Sequence, residues 1–354
     1  MPDLESFGWR PFFAEAFAPH AAEGLRPARV CVEHRGGWGV FTEDGERPAR
    51  IAGRLRHAAT SSADYPAVGD WVAVRPGGPD DPALIHAVLP RWSKFSRTAA
   101  GDRPEEQIVA ANVDALFVLV ALGPPLNRRR LERFLVFARE SGAQPVVVMS
   151  KSDLHPDPGA AEEEARAVAG EVPVHAVSNF TGAGLDALRP YLAPGHTVAL
   201  VGPSGVGKSS LVNACLGDEV MATEEVRESD LKGRHTTTAR HLIPLPGGGL
   251  LLDTPGMREL QLWQAEEAVE ETFADIEQLA ARCRFADCRH ATEPGCAVRA
   301  AVEAGALDPA RLAHQRKLRE ETERAARRVP SGPAVPGRAP RWQARRHGRP
   351  PTGR

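Results

Sequence analysis

With 354 residues, 42% of them apolar, and 44 basic against 46 acidic side chains, the chain has the composition of a soluble globular protein of roughly two or three domains. No apolar run approaches the ~20 residues needed to span a bilayer, and the N-terminus carries no secretory pattern. A cytoplasmic protein with no membrane partner is expected, acting as a monomer.

Residues 1–27 form an N-terminal extension whose Phe7, Trp9, Phe12, Phe13 and Phe17 are spaced as a short packed helix would use them. No chemistry is assigned to it. Residues 28–100 contain short, partly alternating runs (ARVCVEHRGGWGVF, ARIAGRLR, GDWVAV, ALIHAVL) broken by Gly, Pro and Asp turns. Short strands without long helices predict a small barrel, with an OB-fold the most economical choice. Arg54, Arg56, Arg75, Arg91, Lys94 and Arg97 make it a candidate RNA surface, although a solvated basic face accounts for them equally well.

Residues 101–262 alternate strands with helices. DALFVLVAL, QPVVVMSKSD, VPVHAVSN, HTVALVGPSG and GLLLDTPG are the apolar runs that parallel strands buried on both faces need. Helical stretches lie between them, around Arg128–Glu140, Ala160–Ala169, Leu185–Leu192 and Lys208–Leu216, giving a doubly wound α/β domain. Residues 263–322 read as a helical module holding a Cys/His cluster, with Asp308 and Pro309 starting its last helix. In 323–354 acidic residues stop at Glu323 while arginines recur among prolines and glycines, the mark of a disordered basic tail.

The chemistry is concentrated in a few short segments. Gly202, Pro203, Ser204, Gly205, Val206, Gly207, Lys208, Ser209 and Ser210 match the phosphate-binding loop G-x-x-x-x-G-K-[ST], placed between a strand and a helix. The glycines let backbone N–H groups face the phosphates. Lys208 would meet the β/γ-phosphate oxygens, and the Ser209 hydroxyl would ligate Mg²⁺. In DTPG, Asp253 would reach Mg²⁺ through water and the Gly256 N–H would meet the γ-phosphate.

Base recognition is expected from Ser150, Lys151, Ser152 and Asp153. The Asp153 carboxylate can accept from guanine N1–H and the 2-amino group, donors that adenine lacks there. Lys151 would lay its stem along the ring, and the Ser178 backbone N–H would face guanine O6. The usual pattern is Asn-Lys-x-Asp. Ser150 stands in place of the Asn and is shorter, so one stabilising hydrogen bond is weakened or lost.

Between the phosphate loop and DTPG, LKGRHTTTAR carries a threonine position that would ligate Mg²⁺. The choice among Thr236, Thr237 and Thr238 stays open, with Thr237 taken as the magnesium candidate. Met257 occupies the place where many GTPases keep a water-orienting glutamine, and a thioether cannot do that work. His235 is the candidate for the missing catalytic group, a loop or RNA-contacting role being the alternative. Five cysteines include a cluster: Cys283, Cys288, His290 and Cys296 have the spacing C-x4-C-x-H-x5-C, a closed donor set for one structural Zn²⁺. Cys31 and Cys215 read as small buried hydrophobes.

The base-reading motif precedes the phosphate loop, whereas an unpermuted GTPase has it after. A GTPase sheet opened at a different point gives this order, and surface termini that lie close together permit it. In this order, and with GRHTTT, DTPGMRE and CRFADCRHATEPGCAV, the chain from about Arg29 to Glu321 resembles the circularly permuted small ribosomal subunit biogenesis GTPases of the RsgA (YjeQ/YloQ) family. The resemblance implies an OB-fold, a permuted GTPase domain and a zinc-binding domain. It also implies hydrolysis of GTP to GDP and phosphate, stimulated by the small ribosomal subunit and its rRNA, in late maturation of that subunit. Two other classes are weighed: a P-loop kinase or ATPase, against which Asp153 argues, and an RNA-binding module using GTP only as a structural ligand.

Overall fold

The computed structural model describes residues 3–34, 36–78, 81–98, 106–123, 125–216, 240–253 and 265–328. Helix α1 (Pro11–Ala22) opens on a proline, whose missing N–H costs nothing in a first turn. It is followed by strands β1 (Arg26–His34), β2 (Gly37–Thr42), β3 (Gly45–Ile51), β4 (Trp71–Arg75) and β5 (Ala83–Val88), with helix α2 (Gly53–Ala58) between β3 and β4. These five strands close into a barrel, because β1 pairs with both β2 and β4. Neighbours run antiparallel except β3 with β5, which run parallel. Ala28, Val30, Val40, Ala49, Val72, Val74, Ala83 and Ile85 cluster together in its core, at alternate strand positions, as a period of two requires. This is the OB-like barrel that the short strands call for.

Two details change the reading of its surface. Arg91 is not a free basic side chain: it grips the buried Asp70 at 2.7 and 2.6 Å and caps the carbonyls of Ala63 and Tyr65. Lys94 likewise pairs with Glu106 at 2.7 Å. Strands β6 (Lys94–Thr98) and β7 (Glu106–Ala111) form a separate antiparallel pair, which bridges the boundary placed at residue 100 from sequence.

The second sheet contains β8 (Ala115–Ala121), β9 (Gln144–Ser150), β10 (Val174–Ala176), β11 (Thr197–Val201), β12 (His241–Pro244) and β13 (Leu250–Asp253). Their spatial order is β10-β9-β8-β11-β13-β12, parallel except for β12. Strands early in the chain thus lie on the far side of β11, which is how a permuted order still builds a continuous sheet. The short β12, whose four residues carry no motif, also touches the barrel through Val32 opposite His241, with Arg240 on Glu33 at 3.3 Å.

Helix α3 (Arg128–Ser141) follows β8, capped by Asn127 on the Arg130 N–H at 3.0 Å and ended by Gly142 at φ 83°. Helix α4 (Pro158–Ala169) follows β9, capped by Asp157 on the Ala160 N–H. Helix α5 (Lys208–Leu216) follows β11. The C-terminal module contributes α6 (Glu266–Thr272), α7 (Ala274–Ala280), α8 (Ala297–Glu303) and α9 (Pro309–Arg328). Sequence periodicity treats residues 266–283 as one helical run; it breaks at Phe273 (ψ 37°), which turns its ring into the seam beneath Arg311 and His314. Among the described residues no helix is long and apolar enough to cross a membrane.

Candidate functional site

The site forms where three parallel strands end together. β11 delivers the chain into Gly202–Gly207, and α5 begins at Lys208. Val206 is buried in the core cluster of β8, β9 and β11, which anchors the loop from below. Gly207 adopts φ 93°, a conformation that disfavours any residue with a Cβ. The Lys208 ammonium arches over the loop and donates to the carbonyls of Gly202 and Pro203 at 2.9 and 2.7 Å. Ser209 sits in the first turn of α5. Asp253 ends β13, the parallel neighbour of β11, so it lies at the same end of the sheet.

The loops after β9 and β10 reach this point from the other side of β8. Lys151 is one of three non-glycine residues with positive φ among those described, at 63°. That conformation costs of order ~1 kcal/mol and turns the chain sharply off the end of β9. Ser152 donates its N–H to Val177 O at 3.1 Å, fastening this turn to the loop after β10. Ser178 then donates its hydroxyl to the Asp153 carboxylate at 2.5 Å while accepting from the N–H groups of Phe180 and Thr181. The Ser178 N–H expected at guanine O6 is instead taken by the Ala183 carbonyl at 2.9 Å. In this structure Ser178 works through its side chain, orienting Asp153.

Two hydrogen bonds join this side to the loop that precedes α5. The buried Ser150 donates its hydroxyl to Val206 O at 2.6 Å. Asn179, which sequence reading passes over, donates its amide to Gly207 O at 3.2 Å. Thus Ser150–Asp153, Ser178 and Gly202–Ser209, separated in sequence, converge on one end of one sheet. His235, Thr236, Thr237, Thr238 and Gly256 lie outside the described residues.

A second constellation lies in the C-terminal module. The donor atoms of Cys283, Cys288, His290 and Cys296 are all within 4.8 Å of one another. His290 Nδ1 stands 3.6 Å from Cys283 Sγ and 3.5 Å from Cys296 Sγ, and those two sulfurs are 3.9 Å apart. Tetrahedral Zn²⁺ with bonds of ~2.3 Å to sulfur and ~2.0–2.1 Å to nitrogen sets donor separations of about 3.5–3.8 Å. The donor set fits zinc. Cys296 also caps α8, its sulfur accepting the Arg299 N–H at 3.4 Å. Burial, followed by the charges of Arg316 and Arg319, pushes His290 below its ordinary pKa, so the imidazole is neutral at pH 7, as a metal ligand must be. His290 is another positive-φ residue, at 60°, and Arg316 of α9 holds its carbonyl.

The family model described as RsgA GTPase matches residues 88–263. A small ribosomal subunit biogenesis GTPase RsgA from Opitutus terrae is 51% identical over 336 residues, covering 92% of this chain and 91% of that protein. The chain belongs to the RsgA GTPase family. A relative of the same name from Streptomyces coelicolor is 48% identical, over 91% of this chain and 87% of its own length. Among solved structures, YjeQ from Thermotoga maritima matches with a TM-score of 0.61 and 28% identity, covering 84% of this chain and 99% of that one. YloQ, a circularly permuted GTPase, matches in fold with a TM-score of 0.57 and 24% identity, over 86% of this chain and 96% of its own. As an RsgA-family member this chain is a GTPase of permuted order, in which the Cys3His cluster suits one zinc and the nucleotide is expected with Mg²⁺.

Proposed function

We propose that the protein hydrolyses GTP to GDP and phosphate on the small ribosomal subunit, in a late step of that subunit's maturation. The observation that carries this reading is the direct hydrogen bonding of the base-side loops to the phosphate loop, in a chain whose relatives are named for that role.

In this reading Asp153 accepts from guanine N1–H and the 2-amino group, with Ser178 holding the carboxylate and Lys151 lining the ring. The loop from Gly202 to Ser210 takes the phosphates on its N–H groups, and Lys208 exchanges its carbonyl partners for phosphate oxygens. Ser209, Asp253 and Thr237 are the candidate holders of Mg²⁺, which when bound would neutralise charge on the β- and γ-phosphates. His235 is the candidate for the catalytic group that Met257 cannot replace. Cys283, Cys288, His290 and Cys296 would hold zinc as a structural ion, with no open coordination position for chemistry. The protein would act as a cytoplasmic monomer, with the barrel and the C-terminal module facing rRNA. GTP would set the angle between them, since the segment after DTPG leads directly into α6.

The test is GTP turnover with and without purified small subunits. Wild type should turn over slowly alone and be accelerated by orders of magnitude on the subunit. Lys208→Ala should abolish both rates, whereas His235→Ala should remove the stimulated rate and leave nucleotide affinity intact. Turnover indifferent to small subunits would contradict the proposal.

A further inference from the structure

Resting on the nucleotide reading above, we infer that Asn179 is a positioning residue that fixes the spacing between the guanine-reading loop and the phosphate loop. Its amide donates to Gly207 O at 3.2 Å, while Ser150 donates to the preceding carbonyl, Val206 O, at 2.6 Å. Two side chains from two base-side loops therefore hold two consecutive carbonyls of the phosphate loop. The hydroxyl of Ser150 supplies one bond where a carboxamide at that position could supply more. Asn179, from a different loop, brings the carboxamide.

Three features support a spacing role. Gly207 O also accepts the Leu211 N–H at 2.9 Å, so the Asn179 amide grips the carbonyl that starts α5, directly before Lys208. A Cβ on Gly207 would stand 3.3 Å from Asn179 Nδ2, tighter than an ordinary contact, so the absent side chain eases the approach of the Asn179 amide. Asn179 is also bonded in sequence to Ser178, whose hydroxyl holds Asp153 at 2.5 Å. One dipeptide thus orients the base-reading carboxylate and grips the phosphate loop. The orientation of the amide is fixed, since turning it over would set its oxygen against Gly207 O. Its Oδ1 is accordingly left buried without a partner, a cost consistent with the other half of the amide having a function.

A residue that sets spacing matters only to a ligand that spans both loops. The experiment measures affinity of the full-length, zinc-loaded protein for GDP, ADP, guanosine and inorganic pyrophosphate, in wild type and Asn179→Ala, with thermal unfolding alongside. Asn179→Ala should weaken GDP by about tenfold while each half-ligand changes less than about twofold, because what is lost is the effective concentration of one end for its loop. If GDP affinity is unmoved, or falls by the same factor as one half-ligand, the spacing role is wrong. A wild type that does not prefer GDP over ADP would overturn the guanine reading of the site. An intact preference with an unmoved Asn179→Ala would overturn only the tie.

Discussion

The GTPase sheet carries an attached module at two seams, and they combine packing and charge in different proportions. On the barrel side the seam is aromatic. Trp9 and Trp71 meet edge to face at 4.7 Å, Phe13 is fully buried against Trp92, and Arg10 lies over Trp92 while binding Asp114 at 2.7 and 3.0 Å. Beneath them the buried Arg29 serves the carbonyls of Phe7, Gly69 and Asn112. Burial lowers its pKa to about 10, which leaves it charged at neutral pH. On the C-terminal side, where Leu131 and Leu135 of α3 share one buried apolar cluster with Val269 and Phe273, the seam adds a network of ion pairs. The buried Glu132 takes Arg311 and His314, Arg133 takes Glu321 at 2.8 and 2.7 Å, and Arg311 also binds Asp275. An interlocked aromatic surface has one good arrangement, whereas ion pairs can exchange partners with little loss of contact. The module that follows DTPG is therefore the one whose contact includes the larger set of exchangeable bonds.

The strongest way to sharpen this contrast is to remove the metal. Zinc binding in small domains is worth about 10–16 kcal/mol. Chelation should therefore release amide protection across 266–328, read by hydrogen exchange, while the barrel seam stays protected and GDP affinity changes less than about twofold. Next, Phe13→Ala should cost about 3–5 kcal/mol of global stability, equally at low and high salt, because the loss is packing. Glu132→Ala should cost less, ~1–3 kcal/mol, by leaving the buried His314 without its carboxylate while Arg311 keeps Asp275, and its exchange signature should be confined to α6, α7 and α9. If Phe13→Ala loosened the C-terminal module as much as the barrel, the two seams would not be independent.

The smallest effect belongs to Glu321→Gln, at most ~1 kcal/mol because the pair with Arg133 is half-exposed, and it should shrink with salt. Hydrogen bonding from Arg133 holds the Glu321 carboxyl below its ordinary value of 4.5. Its contribution is thus complete above pH 4.5 and fades as pH falls through the lower folded value. Urea titrations of wild type and Glu321→Gln should differ at neutral pH and converge in stronger acid.

Much of this was legible in residues whose local pattern decides their structure. The Val- and Leu-rich runs ending in Ser150, Val201 and Asp253 could only be buried parallel strands, and the four zinc donors announced themselves by spacing. What escaped depends on partners distant in sequence. Nothing around His241–Pro244 signals a strand, because its reason to exist is the edge offered by β13 and β1. Arg91 resembles a surface cation until Asp70 is found beneath it. Asn179 looks like an ordinary turn residue, and its value lies in a carbonyl 28 positions away. Glu132 and His314, 182 residues apart, carry no local signal at all.

A nucleotide competition with Asp153→Asn tests most directly whether Asp153 and Lys208 close around one guanine nucleotide. Wild type should select GTP over XTP. The variant should lose roughly 10–100-fold in GTP affinity, the ~1–3 kcal/mol of a bidentate base contact, and gain in XTP. An Asp153→Asn protein that still selects GTP as wild type does would contradict the account.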